Sequence, residues 1–268
     1  MSSEYDEIID KLKITAILQT RSNFNRNKVQ GRSITERIMK KVMLAAVTAL
    51  FVTSFLVSTH TLAANYYGKH LCAYPGFECV KVSKGQTWEG LFPNSRDREL
   101  VMRLNRTNMP LQYRSWIVVP TDVRSLTYME LSPFPIHRDT NGKKLLLVNL
   151  NQQAFAAYDA NGKLELWGPV SGGKGYCPDV GRGCNTATGN FAIYRKQGPE
   201  CKSSKFPVET NGGAPMPYCM HFKGGFALHG STLPGYHASH GCVRLFTEDA
   251  KWLNHYFLDI GTKVIVTR

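Results

Sequence analysis

The segment "ALHGSTLPGYHASHGCVRL", residues 227–245, places three histidines and one cysteine in a glycine-rich stretch. The apolar run "GGFALHG" predicts a strand that ends near His229, and the chain turns through "STLPGYHAS" before it reaches Cys242. This strand and turn can bring His229 close to Cys242. The spacing leaves three interpretations open: a metal site, a nucleophile with its base, or a buried strand and turn without chemistry.

The residue types favour a nucleophile over a metal site. His237 and His240 have a spacing that zinc ligands adopt, but no cysteine pair has zinc-like spacing. A thiolate attacks carbonyl groups, and a nearby imidazole can take the thiol proton. Gly241 leaves the Cys242 sulfur unhindered, and the backbone N–H groups of such a turn can face an oxyanion. The spacing alone does not decide between a nucleophile and a spare buried thiol.

Residues 39–64 have the order of features that a secretory signal requires. Two lysines precede the uncharged, mostly apolar stretch 42–57, and small residues follow where a peptidase would cut. We therefore expect export, with Met39 as the start of translation and residues 1–38 as an untranslated or disordered extension. An uncleaved membrane anchor is the alternative, and only such an anchor would make the membrane a partner. The apolar stretch is shorter than the roughly 20 residues that span a bilayer comfortably.

All seven cysteines follow residue 64, in the part of the chain that export would deliver into an oxidising space. Most are close neighbours in sequence, and their odd number leaves one thiol over. Proximity predicts the pairs, although sequence alone does not fix the connectivity. The predicted disulfides are Cys72–Cys79, Cys177–Cys184 and Cys201–Cys219, with Cys242 as the remaining thiol.

The chain carries a formal net charge of +13, which requires an anionic partner or a solvated surface. The basic residues are scattered singly, and no run of Lys and Arg alternates with aromatic residues. This pattern argues against nucleic acid as a partner. For an exported chain we expect an acidic surface of the periplasm or cell envelope instead.

Residues 79–120 have the pattern of a small α+β module. "VKVSKG" predicts a strand, "RDRELVMRLNR" a helix and "SWIVVP" a closing strand. The module resembles a LysM module in its "V-x-KG-x-TW", its "LNR" at a helix end and its final "IVVP". The resemblance implies binding of N-acetylglucosamine-containing glycans, with Trp88 as a candidate for stacking on a sugar. A packing module with a core Trp88 and no glycan site is the alternative.

Residues 143–268 have a β-rich texture and follow a proline-containing linker at 121–142. "DANG" and "KGG" predict hairpin turns, "TATGNFAIYRKQG" a turn with a following strand, and "IGTKVIVTR" a final strand. "TEDAKWLNHYF" predicts one clear helix with Thr247 as its N-cap. The sequence therefore predicts a mainly β fold.

The motif "HG" followed by "SHGCVRL" is similar to the signature of the L,D-transpeptidase (YkuD-type) catalytic family. "GPVSGG", "TATGNFAI" and "MPYCMHF" resemble earlier segments of the family in the same order, so the resemblance covers residues 143–268. It implies a β-sandwich catalytic domain with one or two helices. The loop at 230–238 is shorter than in many members, which implies a more open cleft.

The resemblance implies a role for each residue that matches the motif. Cys242 matches the nucleophile and His229 the general acid and base. His240 is expected to orient the site. Ser239 and Gly241 support the turn, whose amides are expected to supply the oxyanion hole.

Two further residues match less specific positions. Arg244 is expected to bind a substrate carboxylate or to brace the loop. Tyr218 matches a tyrosine near the donor pocket, or it is a core tyrosine. His237 falls in the variable loop and receives no role. No metal or organic cofactor is implied.

The implied reaction is acyl transfer on peptidoglycan stem peptides. The Cys242 thiolate attacks the carbonyl of the third stem residue, D-Ala leaves, and a thioester forms. A side-chain amine of another stem then yields a 3→3 cross-link. Water as acceptor would make the enzyme an L,D-carboxypeptidase, and an envelope protein amine would make it an anchoring enzyme. The implied partners are stem peptides, glycan and, as one possible acceptor, that envelope protein.

Two other classes of protein account for parts of the pattern. In NlpC-type and papain-like cysteine peptidases the cysteine precedes its histidine, whereas here His229 precedes Cys242. A non-catalytic peptidoglycan-binding protein would hold glycan with residues 79–120 and use the C-terminal domain as a support. Labelling of Cys242 by a thiol-directed β-lactam separates the enzyme from the binding protein.

Overall fold

A small module of two strands and two helices begins the described part of the chain, which is residues 66–268 in the computed structural model. The module contains β1 (Phe77–Lys81), α1 (Trp88–Leu91), α2 (Ser95–Leu104) and β2 (Trp116–Pro120). β1 and β2 pair in antiparallel orientation. The expected signal peptide at 39–64 and the extension at 1–38 lie outside the described residues.

Helix caps and a local core explain why these residues form the module. The Thr87 hydroxyl accepts the Gly90 N–H at the start of α1, and the Asn94 side chain accepts two N–H groups at the start of α2. Trp88 is buried, and its indole N–H donates to the Met109 carbonyl at 2.8 Å. Trp88 is therefore a core tryptophan and is not exposed for stacking on a sugar.

The described residues after the module form a mainly β domain, which confirms the predicted fold class. Its elements are β3 (Leu145–Asn149), β4 (Ala154–Tyr158), β5 (Leu164–Ser171), β6 (Tyr176–Cys177), β7 (Arg182–Gly183), β8 (Gly189–Ala192), β9 (Arg195–Lys196), β10 (Met220–Lys223), β11 (Phe226–Gly230), β12 (Val243–Leu245), α3 (Thr247–Trp252), a π-helical turn (Leu253–Phe257) and β13 (Lys263–Thr267).

Nine of these strands belong to one sheet, in the order β8–β13–β3–β4–β5–β12–β11–β10–β9, and β6 and β7 pair separately. The rings of Phe191 in β8 and Phe222 in β10 have centroids 5.4 Å apart, so the two sides of the sheet approach each other. The expected layers are thus parts of one curled sheet. Its interior is filled by apolar side chains such as Phe155, Leu228 and Val264.

The predicted hairpins are present in the structure. β4 and β5 pair in antiparallel orientation around "DANG", and β10 and β11 do so around "KGG". The N-cap assignment of Thr247 is wrong. Thr247 is the first residue of α3, and Phe246, whose side chain makes no capping hydrogen bond, occupies the N-cap position.

The pairing of β11 with β12 decides which side chains share a face of the sheet. The strands are parallel, with Leu228 opposite Val243 and His229 opposite Arg244. Leu228 and Val243 are fully buried in the core. Because side chains alternate along a strand, His229 and Arg244 lie on the other face, and Cys242, two residues before Arg244, lies on that face as well.

The N-terminal module packs against the sheet within one compact unit. Arg103 of α2 donates to both carboxylate oxygens of Asp249 in α3, at 2.7 and 2.8 Å, and both side chains are buried. Arg106 is also buried, with its Cζ atom 4.3 Å from the ring centroid of Tyr67 and 5.2 Å from that of Trp167. These contacts join residues that are far apart in the sequence.

The segment 121–142, expected as a linker, contributes side chains to this packing. Leu131 and Phe134 are buried in a cluster that contains Trp167. The Trp167 indole N–H donates to the Tyr128 carbonyl at 2.9 Å, and the two rings stack with centroids 5.1 Å apart. The segment therefore lies against the sheet. The domain bounds themselves remain a prediction.

The cysteines pair as the sequence predicts. Cys72–Cys79, Cys177–Cys184 and Cys201–Cys219 form disulfides, and Cys242 is free. Disulfides that close loops of this kind stabilise a fold by about 2–4 kcal/mol. They are consistent with an exported protein, because such bonds persist in oxidising compartments. No helix within residues 66–268 has the length and apolar character needed to cross a membrane.

Candidate active site

Cys242 is a free, partly buried thiol directly before β12. Its Sγ atom donates to the Gly225 carbonyl at 3.7 Å. Burial raises the pKa of the thiol, while a hydrogen bond with the Ala227 backbone and the charge of Arg244 act in the opposite direction. The thiol is therefore protonated at neutral pH, and its attack on a carbonyl requires a base.

His229 is a buried residue at the end of β11, with 6% of its surface exposed. Its Nδ1 lies 2.9 Å from the Gly230 carbonyl oxygen, which can only accept, so Nδ1 carries the proton and Nε2 the lone pair. Burial lowers the pKa of His229 to about 4. The bond to Gly230 opposes this change, and the charges of Arg244 and His221 add to it. At neutral pH His229 is thus an uncharged base.

These two side chains reach one face of the sheet from adjacent strands. The resting pair is a neutral thiol and a neutral imidazole, in contrast to a preformed thiolate–imidazolium pair. Such an arrangement can perform nucleophilic attack with general-base assistance. In the resting site the recorded contact of Sγ is with Gly225, and catalytic contacts often tighten only when substrate is bound.

Ser239 and Gly241 build the turn that carries Cys242. The Ser239 hydroxyl donates to the Cys242 carbonyl at 2.5 Å and accepts the Gly241 N–H at 3.0 Å. Gly241 has a φ of +128°, and a Cβ atom there would lie 2.6 Å from the Phe226 ring. Only glycine satisfies both conditions without strain. The turn is therefore braced by a buried hydroxyl and depends on glycine.

His240 makes its contacts away from the thiol. Its Nε2 lies 2.6 Å from the Asp179 carboxylate, and its ring stacks on Phe206 with centroids 4.2 Å apart. The hydrogen bond with His240 lowers the pKa of Asp179. Asp179 lies in the loop closed by Cys177–Cys184, and Phe206 in the loop closed by Cys201–Cys219. His240 thus connects the two disulfide loops next to the turn that carries Cys242.

Sequence reasoning missed Asp179 and Phe206 as partners of His240. Asp179 lies 61 positions from His240 in the chain, and no local pattern links the two. The one available signal was the acid inside "CPDVGRGC", which offers a carboxylate in a constrained loop.

A group of three potential metal ligands lies beside this turn. One ligand atom from each of Cys177, Asp179 and His240 lies within 4.8 Å of the others. The Cys177 sulfur is bonded to Cys184, so it offers no thiolate. The remaining carboxylate and imidazole already bond to each other. This donor set does not fit a zinc site while the disulfide is intact.

Arg244 faces the site, and among residues 66–268 no carboxylate forms an ion pair with it. Burial lowers the pKa of Arg244, and the neighbouring Cys242 and Tyr236 oppose this change. Its guanidinium group is therefore available to pair with an anion near the thiol. On the same face, the register sets Arg244 beside His229.

Tyr218 and His237 are engaged in packing contacts. The Tyr218 ring lies edge-on to His255, with centroids 5.4 Å apart, and packs on the main core. His237 accepts the Gly172 N–H through Nδ1 at 2.9 Å and lines a cavity with Lys174 and Arg268. These contacts support a structural role for Tyr218 and His237.

His221 is a further residue of this face that sequence reasoning missed. It lies opposite Ala227 in the β10–β11 pair, and its Nε2 is 2.8 Å from Arg195 Nη2. Burial, with Arg195 as a second cause, lowers its pKa, and His221 contributes to the lowered pKa of His229. The only sequence signal was a histidine within a predicted strand next to the motif.

The fold and the site define a β-rich domain with a cysteine and a histidine on one sheet face, and this domain matches a family model. Residues 143–266 match the model described as the L,D-transpeptidase catalytic domain, YkuD. This match confirms the predicted resemblance of residues 143–266 to that family. No curated protein matches the chain significantly. The LysM-like identity of the N-terminal module remains a prediction.

Several solved L,D-transpeptidase structures are similar to part of the chain. The enzyme from Xylanimonas cellulosilytica is 27% identical over 56% of this chain and 71% of its own, with a TM-score of 0.45. That from Stackebrandtia nassauensis is 26% identical over 51% of this chain and 61% of its own, with a TM-score of 0.40. L,D-transpeptidase 3 from Mycobacterium tuberculosis is 23% identical over 47% of this chain and 61% of its own, with a TM-score of 0.39. The last two matches cover less than two thirds of those chains.

Proposed function

We propose that the protein is an L,D-transpeptidase that acts on peptidoglycan stem peptides through a thioester on Cys242. One observation carries the proposal. The free thiol of a YkuD-type domain shares a sheet face with a buried, uncharged His229 whose Nε2 can accept a proton. The three disulfides support a location in the periplasm or cell envelope, because such bonds persist in oxidising compartments.

In the proposed first step, His229 Nε2 takes the proton of Cys242 as Sγ attacks the carbonyl carbon of the third stem residue. The low pKa of His229, caused by burial, makes the imidazolium a strong acid that returns the proton to the departing amine of D-Ala. The carbon–nitrogen bond then breaks and a thioester remains. The Gly241 N–H is occupied by Ser239, so the His240 and Cys242 amides are the proposed oxyanion donors.

In the proposed second step, an amine attacks the thioester. A side-chain amine of a neighbouring stem gives a 3→3 cross-link, a protein amine gives an anchored envelope protein, and water gives the carboxypeptidase reaction. Arg244 is proposed to attract a stem carboxylate, because it is near the thiol and lacks an acidic partner in the described residues. His240 is proposed to position the turn through Asp179.

Incubation with a disaccharide-tetrapeptide muropeptide, followed by mass spectrometry of the products, tests the proposal. We expect release of D-Ala and a cross-linked dimer, and we expect a carbapenem to add its mass to Cys242. Cys242→Ala is the matched control and should give neither result. A wild-type protein with intact disulfides that releases no D-Ala and is not labelled would support a non-catalytic peptidoglycan-binding protein instead.

A further inference from the structure

The loop at 230–238 joins the two halves of the catalytic motif, with His229 before it and Cys242 shortly after it. Both ends of the loop are held by the catalytic domain. Its first N–H donates to the Pro217 carbonyl at 2.8 Å, and its last N–H donates to the Ser171 hydroxyl at 3.0 Å. Between these ends the loop connects the strand of His229 to the turn that carries Cys242.

The middle of the loop is held by the N-terminal module. Asn108 Oδ1 accepts the Leu233 N–H at 2.7 Å, and Asn108 Nδ2 donates to the Ser231 carbonyl at 3.4 Å. The Leu233 carbonyl accepts from the Thr107 hydroxyl at 2.8 Å and from the Asn108 N–H at 3.3 Å. Leu233 itself is fully buried. Both backbone polar groups of Leu233 are therefore satisfied by the module.

The segment that carries Asn108 is itself firmly anchored. The buried Asn105 side chain bonds to the Val101 carbonyl in α2 and to both backbone groups of Val118 in β2. The next residue, Arg106, donates to the Gln152 carbonyl at 3.0 Å, between β3 and β4. These two residues belong to the "LNR" that resembles a LysM motif. In this protein they anchor the segment to both the module and the sheet.

From these contacts we propose that Asn108 is a positioning residue for acyl transfer at Cys242. The module fixes the loop at 230–238 through Asn108 and Thr107, and this loop joins the strand of His229 to the turn that carries Cys242. This inference rests on the proposed function and extends it, because it gives the N-terminal module a part in catalysis that requires no bound glycan. A displacement of about 1 Å in a catalytic arrangement can cost about 10²-fold in rate.

Asn108→Ala, Asn108→Asp and Thr107→Val test the proposal in the full protein. The assay measures kcat and KM for D-Ala release from a disaccharide-tetrapeptide, with alkylation of Cys242 by iodoacetamide in parallel. We expect Asn108→Ala to lower kcat about ten-fold, with little change in KM or alkylation rate. Asn108→Asp keeps the acceptor for Leu233 and should retain most activity. Asn190→Ala, an exposed asparagine on β8, is the control and should behave like the wild type.

The outcomes separate this inference from the proposed function. Wild-type kcat in a folded Asn108→Ala protein overturns the inference while the proposed function stands. Should Asn108→Ala fail to fold, Thr107→Val decides, because it removes only the hydroxyl donor to Leu233: a lowered kcat supports the positioning role, and an unchanged kcat overturns it. A wild-type protein that neither releases D-Ala nor reacts with a carbapenem overturns both.

Discussion

Replacement of Asp249 by alanine tests how strongly the N-terminal module and the sheet stabilise each other. Asp249 pairs with Arg103 from a position 146 residues away, through two hydrogen bonds. The side chains are 3% and 7% exposed. Without Asp249, the guanidinium group of Arg103 stays buried over the ring of Tyr128, with a centroid distance of 5.0 Å. The variant therefore leaves a buried charge that has lost its main partner.

Removal of one partner of a buried ion pair costs about 3–5 kcal/mol of the free energy of unfolding. Arg103 keeps one other acid, because its Nε donates to Glu99 at 2.8 Å. Glu99 is 60% exposed, so it compensates only in part. We therefore expect the lower end of the range, about 3 kcal/mol.

Urea unfolding followed by tryptophan fluorescence and circular dichroism, with the disulfides intact, measures this change. Asp259→Ala is the matched control, because Asp259 pairs with Lys144 at 3.2 Å and the two side chains are 76% and 40% exposed. It should cost less than about 1 kcal/mol. The double variant Arg103→Met with Asp249→Leu removes both charges at similar volume and should recover most of the loss.

Equal losses for Asp249→Ala and Asp259→Ala would refute the reasoning, because a buried and an exposed pair would then have the same effect. Two separate unfolding transitions in the wild type would also contradict it. They would mean that the module and the sheet unfold independently, despite the contacts between them.

The remaining predictions concern the proposed catalytic pair, Cys242 and His229, and the pH dependence of stability. Cys242→Ala should lose carbapenem labelling, measured by intact mass, at an unchanged melting temperature; continued cross-linking by this variant would rule out Cys242 as nucleophile. His229→Gln should lower kcat/KM by about 10²–10⁴-fold, and His237→Gln should lower it far less; similar losses would contradict the assignment of the base. His229 has a pKa of about 4 when folded against an ordinary value of 6.5, so the folded protein binds fewer protons between these values. The free energy of unfolding should therefore fall by about 3 kcal/mol as the pH drops from 6.5 to 4, and a His229→Gln variant with the same pH dependence would show that other groups cause it.

Much of the fold and of the catalytic motif was predictable from the sequence because the signals are local. The hairpins around "DANG" and "KGG" follow from turn residues between apolar runs, and the disulfides join near neighbours in the chain. Cys242 and His229 lie 13 positions apart (242 − 229), and one strand and one turn connect them. Such patterns depend on hydrogen bonds and alternation within short segments, which residue order encodes directly.

The sequence did not predict the structure correctly where a short segment was compatible with two different local structures. Thr247 was predicted as the N-cap residue, but the helix includes Thr247 as its first residue. Trp88 fits an exposed sugar platform as well as a core position, and its burial follows from neighbours such as Val101 and Ile117. In both cases the choice depends on what packs against the segment, and this information is not present in the segment itself.

Residue order by itself determined the identity of the motif, the local strands and turns, and the odd thiol at Cys242. Only the tertiary structure decided that Asp249 is the partner of Arg103, that His240 bonds to Asp179, and that Asn108 holds the loop of the catalytic motif. It also decided that His229 is uncharged, because its pKa follows from burial. The physical reason is that solvent exclusion and contacts between distant residues depend on the path of the whole chain, and no short window of sequence contains that path.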